Sequence, residues 1–302
     1  MQAKYYELPG HGSAPLPATL WRAEEPKAVL QIVHGTTEHM GRYSGLAAYL
    51  ASRGITVAGF DLRGHGRRPG DHRVAALAEG DWAASIQDVR MFAAHLDREF
   101  PGVPRFLLGF SLGSFLVRDL LKAYPDESPA GAILVGTGHQ PGWLLAIMRR
   151  IVLGQLKQVG YVGHSPLIRQ LSFGAYNQKF KPNRTDVDWL SASETAVDDY
   201  LADPLVRRNT SAGLFYELLG SMKRHCGSGE YDSWNKNLPV LLLSGACDPV
   251  GDFGKGVGTV HRQMQKAGFR DVALRLLPGE RHAVLMTGAE KILADWIISR
   301  CS

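Results

Sequence analysis

The chain has 302 residues, of which 45% are hydrophobic and 21% charged, with a formal net charge of +5. That length buries a large core, as one large domain or a domain with an insertion, and the composition is that of an ordinary globular protein. The positive balance reads as solubility rather than nucleic-acid binding: Arg149-Arg150 and Arg207-Arg208 are isolated pairs, and no Lys/Arg run is interleaved with aromatics.

In chain order, residues 5–8 and 18–21 predict an antiparallel hairpin at a sheet edge. Residues 28–33 and 55–60 are apolar runs of strand length, separated by a helix over 45–53. A long amphipathic helix follows over 82–100, with Asp81 as its expected N-cap. Next come a strand at 105–109, a helix at 112–124 and a strand at 132–135. The alternation then stops and resumes with a strand at 240–243, a helix near 253–267, a strand at 272–277 and a last helix over 289–299. Fully apolar strands alternating with helices predict a parallel sheet covered on both faces.

The most informative stretch is Gly109-Phe110-Ser111-Leu112-Gly113. It lies between a strand and a helix, the context in which Gly-x-Ser-x-Gly is a nucleophile elbow. A serine at the tip of such a turn sits in strained backbone, and small residues two positions away on each side let the turn close. A serine hydroxyl needs a base, and the base needs an acid to orient it. In this arrangement the order along the chain is Ser, then Asp or Glu, then His. Asp248 stands just past the strand 240–243, with Asp252 as its rival. His282 is the only histidine after the last strand. The oxyanion of a tetrahedral intermediate needs two fixed N–H donors. Leu112, after the nucleophile, supplies one. The loop His34-Gly35-Thr36-Thr37-Glu38-His39 supplies the other, with Thr36 preferred over Thr37.

Residues 138–236 interrupt the alternation, and the expected division is a core at 1–137 and 237–302 with a helical cap at 138–236. A cap leaving the carboxyl ends of the strands roofs the site. Within it Leu144, Ile147, Met148 and Ile151 have helical spacing. That face is expected to line an acyl pocket or to meet a membrane or micelle surface.

Together the motifs resemble the monoacylglycerol lipase and lysophospholipase-like branch of the α/β-hydrolases, sometimes grouped with serine aminopeptidases. The resemblance rests on His34 to His39 followed by Gly41-Arg42-Tyr43, on Asp61-Leu62-Arg63-Gly64-His65-Gly66, on the Ser111 pentapeptide, and on Asp248 and His282. It implies a mostly parallel eight-stranded sheet with an inserted cap, and a triad of Ser111, Asp248 and His282 with Thr36 and Leu112 at the oxyanion. It also implies structural roles for Asp61, Arg63 and His65, no cofactor and no metal. The expected reaction is cleavage of a monoacylglycerol or related single-chain lipid ester through an acyl-enzyme. Two rivals are a peptidase, which needs cap acids among Asp186, Asp188, Glu194, Asp198 and Asp199 to hold a substrate ammonium, and a non-catalytic binding scaffold.

Cys226, Cys247 and Cys301 are odd in number and widely spaced, which gives no metal spacing and no disulfide framework and fits a reducing compartment. The N-terminus lacks a charged region followed by an apolar one, and no stretch approaches the ~20 apolar residues of a spanning helix. A cytoplasmic location, with at most peripheral membrane contact, is expected.

Overall fold

The computed structural model describes residues 2–69, 74–227 and 229–301. Strand β1 (Lys4–Pro9) pairs antiparallel with β2 (Pro15–Trp21), so Lys4 faces Leu20 and Pro9 faces Pro15. Then come β3 (Ala28–Val33), α1 (Ser44–Ser52), β4 (Ile55–Phe60), the two-residue β5 (Val74–Ala75), α2 (Asp81–Glu99), β6 (Arg105–Phe110), α3 (Leu112–Ala123) and β7 (Gly131–Val135). The intervening segment carries α4 (Gly142–Val159), α5 (Pro166–Arg169), α6 (Ala175–Asn177), α7 (Glu194–Ala202), β8 (Asn209–Thr210) and α8 (Ala212–Arg224). The chain ends with β9 (Val240–Gly245), α9 (Lys255–Lys266), β10 (Val272–Leu277) and α10 (Glu290–Ile298).

Among the described residues, eight strands form one sheet in the order β1-β2-β4-β3-β6-β7-β9-β10. Its last six members are parallel, and only β2 runs against them; β1, antiparallel to β2, again points the same way as the six. The expected hairpin therefore contributes one edge strand, while β2 is interior. Every residue of β3, β4, β6, β7 and β9 is buried. Their uninterrupted apolar runs are the consequence of having helices on both faces. One face packs on Phe92 of α2, Leu116 of α3 and Val260 of α9. The other packs on Leu50 of α1 and Leu293 of α10. Gln31 is a polar residue inside β3. Its amide donates to the Val89 carbonyl and accepts from Arg105, so its burial leaves no orphan group.

Asp81 is not the cap of α2. It lies in the first helical turn, preceded by Gly80 in the left-handed region (φ 84°), and its carboxylate accepts from the Ala78 N–H. There it faces the positive end of the helix dipole.

The segment between β7 and β9 adds no strand to the main sheet. Its α4 packs on α8 through Leu145, Val152, Phe215 and Leu219, and a second small cluster gathers Val187, Val197, Tyr200 and Val206. It is nonetheless woven into the core. Strand β8 pairs with β5, and Tyr231 and Trp234 pack with Phe269 in the main hydrophobic core. Arg118 on α3 reaches both necks of the segment: its guanidinium donates to the Gly138 carbonyl at 3.0 Å and to Glu230 at 2.5 Å. Both members of that ion pair are buried. None of the described helices is long and apolar enough to cross a membrane.

Candidate active site

Ser111 sits at the junction of β6 and α3 with φ 51° and ψ −118°. This strained geometry is held from both sides. A Cβ on Gly109 would stand 2.5 Å from the Gly113 carbonyl oxygen, so only glycine lets strand and helix approach this closely. The Ser111 N–H donates to Val135 on the neighbouring strand. Ser114 is buried, and its hydroxyl donates to the Ser111 carbonyl, away from the reaction centre.

The structure brings the three expected side chains together. His282 Nε2 lies 2.9 Å from Ser111 Oγ, and His282 Nδ1 lies 2.9 Å from Asp248 Oδ2. A carboxylate can only accept, so Nδ1 carries the proton and Nε2 is free to take that of the serine. Asp248 is fully buried and is held by the Val250 N–H and the Ser244 hydroxyl. Asp252, the rival carboxylate, is exposed with φ 49°. The acid and base loops are joined directly, because the Cys247 N–H donates to the Glu280 carbonyl at 2.8 Å.

Leu112 opens α3, so its N–H belongs to the first helical turn, where backbone donors lack intrahelical acceptors. Thr36 lines the same pocket as Ser111 and His282. The loop bearing Thr36 is fixed by Glu38, which accepts from the Gly35 N–H at 2.7 Å and from the Tyr43 hydroxyl at 2.6 Å. Thr37 has φ 70°, and its hydroxyl bonds Tyr200 of α7. His34 accepts from the Leu62 N–H and thereby ties this loop to the one after β4. In that second loop, burial pushes the Asp61 carboxyl up, but hydrogen bonds and charge from Arg67, with His34, outweigh it and hold it below the usual range. Burial, reinforced by His34, pulls His65 down to about 3. Tyr176 is pushed up to about 12, by burial first and by the Asp248 charge second.

The pocket above Ser111 has a volume of about 40 Å³. On the measure by which one water needs ~10–15 Å³, that is room for about three waters. Its apolar wall includes Phe173, Val187, Leu190 and Met286, and its charged lining is Arg42, Arg169, Arg208 and Glu38. Phe173 lies in a π turn, Gln170–Gly174, between α5 and α6. A wider cleft of about 540 Å³ adjoins the pocket and shares Arg42, Ala196 and Met286 with it.

Leu144, Ile147, Met148 and Ile151 are absent from this pocket. Met148 joins the small core beneath α4, while Ile147 and Ile151 face outward at 50% and 39% exposure. The reason is the helix's rotation: Leu145 and Val152, one position further on, take the inward face. The wall residues come instead from irregular stretches without periodicity, so no spacing in the sequence marked them. The cap acids do not reach Ser111 either. Asp186 pairs with Arg169, Asp198 with Arg184, and Asp188 accepts from the backbone of Arg184 and Thr185. Glu194 is exposed, and Asp199 lines the adjoining cleft.

A model of the family described as serine aminopeptidase, S33, matches residues 24–288. Human monoglyceride lipase is 28% identical over 260 residues, 86% of this chain and 76% of that protein. The monoacylglycerol lipase of Mycolicibacterium smegmatis is 25% identical over 97% of this chain and 96% of that one. A thermostable carboxyl esterase from Bacillus coagulans, solved with glycerol, aligns over 100% of both chains with a TM-score of 0.86 at 22% identity.

Proposed function

The chain belongs to the serine aminopeptidase S33 family, in its monoacylglycerol lipase-like branch of the α/β-hydrolases, and from that premise we propose that it cleaves the carboxylic ester of a single-chain lipid through an acyl-enzyme. In this reading His282 takes the proton of Ser111 as its oxygen attacks the ester carbonyl. The N–H groups of Thr36 and Leu112 stabilise the oxyanion. His282 then gives the proton to the departing alcohol, and water repeats the sequence on the acyl-enzyme. The observation that carries the reading is the single imidazole bridging Ser111 Oγ and Asp248 Oδ2 at 2.9 Å on each side.

A lipid acyl group fits the apolar wall of Phe173, Val187, Leu190 and Met286. The relatives named as lipases of monoacylglycerols support the same class. A pocket with room for about three waters corresponds to a closed form, and an acyl chain enters only after part of the 138–236 cap gives way. That cap also suits a lipid surface. Trp143, Ile147, Ile151, Val162, Leu167 and Leu171 are exposed on it, and residues 128–185 contain seven Lys or Arg and no Asp or Glu. Exposed apolar side chains with cations around them are what an interfacial helix presents to a membrane or micelle.

The peptidase reading needs a carboxylate beside Ser111 to hold an ammonium. Glu38 lies in the pocket, but its Oε1 accepts from the Gly35 N–H and the Tyr43 hydroxyl, and its Oε2 faces the Arg42 guanidinium at 3.6 Å. Comparing monoacylglycerols and p-nitrophenyl esters of graded chain length with aminoacyl arylamides separates the two. Turnover of the esters with little on the arylamides is expected. Preferred cleavage of the arylamides overturns the proposal.

A further inference from the structure

The loop that carries His282 is stapled to the cap at three consecutive residues. Before it, the Arg281 guanidinium donates to the Asp188 carbonyl at 2.5 Å and to the Ser191 carbonyl at 3.1 Å. After it, the Ala283 N–H donates to the Leu190 carbonyl at 2.7 Å. The imidazole itself lies against Trp189, with ring centroids 5.2 Å apart, as well as against Phe110 of β6 at 5.0 Å. Trp189 is 5% exposed and stacks in turn on Phe173 at 5.4 Å and 15°. The 3₁₀ turn Asp188–Leu190 thus makes hydrogen bonds to both neighbours of the base and a ring contact to the base itself.

We propose that this turn of the cap is part of the support of the catalytic base, with Arg281 and Trp189 as positioning residues that keep His282 in line with Ser111 only while the turn is docked. The inference rests on the reading of Ser111, Asp248 and His282 as the triad. Its physical content is alignment. A misplacement of about 1 Å in a reacting group costs on the order of 10²-fold in rate. The core supplies the base with Asp248 and Phe110, while the other aromatic neighbour and the tethers of both flanking residues come from the cap. It follows that the cap opens elsewhere, and that lifting the 188–191 turn stops the chemistry on every ester, however small. Arg281 is the cleaner probe of the two, because it does not line the pocket and therefore has no direct part in acyl recognition.

The test measures kcat and KM of Arg281→Met and Arg281→Lys on p-nitrophenyl acetate and on p-nitrophenyl laurate, with the rate of fluorophosphonate labelling of Ser111 as a second readout. Arg281→Met is expected to lose about 10- to 100-fold in kcat on both esters with KM nearly unchanged, and to label more slowly by the same factor. Arg281→Lys, which can still donate to one carbonyl, should recover part of the loss. Wild-type kcat on acetate in Arg281→Met, with any loss confined to laurate, overturns the proposal and makes the turn a wall of the substrate pocket. If Arg281→Met fails to fold, Trp189→Phe and Trp189→Leu decide on acetate alone. Retention by Phe and loss by Leu supports positioning, and equal wild-type rates overturn it. A wild-type protein that neither hydrolyses acetate nor labels at Ser111 removes the triad reading itself, which is a distinguishable result.

Discussion

Gly113 packs so tightly on the end of β3 that a Cβ placed on it would stand 2.0 Å from the Val33 carbonyl oxygen. The obstacle is backbone on both sides, so nothing flexible can give way. Gly113→Ala must push the start of α3 off the sheet, and with it Ser111 and the Leu112 N–H. Overpacking of this kind costs about 1–3 kcal/mol. The expected outcome is a lowered Tm together with a loss of esterase activity larger than the loss of folded protein. Wild-type Tm and activity in Gly113→Ala contradict the account of the elbow.

The two candidate acids separate by mutation. Asp248→Asn keeps the shape of a fully buried side chain but favours the wrong imidazole tautomer, and a loss of about 10⁴-fold in kcat is expected by analogy with a well-studied triad. Asp252→Asn changes an exposed residue and should cost less than about 2-fold. Steady-state kinetics on one p-nitrophenyl ester decides between them. The reverse order of effects places the acid at Asp252.

Much of this was legible in the sequence because each feature has a local cause. Strands buried on both faces must be continuously apolar, so 28–33, 55–60 and 240–243 announced themselves, and an elbow demands small residues around its serine. Asp248 and His282 were picked out by their places after strands, and their side chains lie 2.9 Å apart. The cap resisted. Leu144, Ile147, Met148 and Ile151 form a sound helical stripe, yet of these only Met148 turns inward, beside Leu145 and Val152. Periodicity reports that a helix has an apolar face, and in a segment apolar nearly all round it does not report which face meets what. Trp189 and Arg281 were invisible for a different reason: their partners are main-chain carbonyls and a distant ring, which no spacing encodes.

The outward face of α4 is predicted to serve at a lipid surface. Ile147→Ser with Ile151→Ser alters two exposed side chains and should leave Tm and the hydrolysis of a water-soluble short-chain ester near wild type. On vesicles of anionic phospholipid carrying a monoacylglycerol, the same variant should lose roughly 10- to 100-fold in rate, since fully burying an isoleucine is worth about 1.5–3 kcal/mol and only 50% and 39% of these two is exposed to be buried. Equal rates of variant and wild type on vesicles contradict a membrane role for this face.

Acid should weaken the fold well before the carboxylates titrate. Burial pulls the His65 imidazole from 6.5 to about 3, so the folded protein holds it neutral. Between those values the unfolded chain binds a proton that the folded chain refuses. The resulting stability is therefore present in full above the unfolded value and is lost as pH falls, at up to about 1.4 kcal/mol per pH unit from this group. Proton NMR of the His65 ring, assigned with His65→Gln, should show no titration from pH 8 to 5, while urea midpoints fall across pH 6.5 to 5. A His65 midpoint near 6.5 contradicts the prediction.

Covalent labelling decides whether Ser111 is the nucleophile. Intact-mass measurement after treatment with a fluorophosphonate should show one adduct per chain, located by peptide mapping at Ser111 and not at Ser114, whose hydroxyl is tied to the Ser111 carbonyl. Ser111→Ala should keep the Tm of the wild type while losing both the adduct and ester hydrolysis. An adduct or undiminished hydrolysis in Ser111→Ala would show that the nucleophile lies elsewhere.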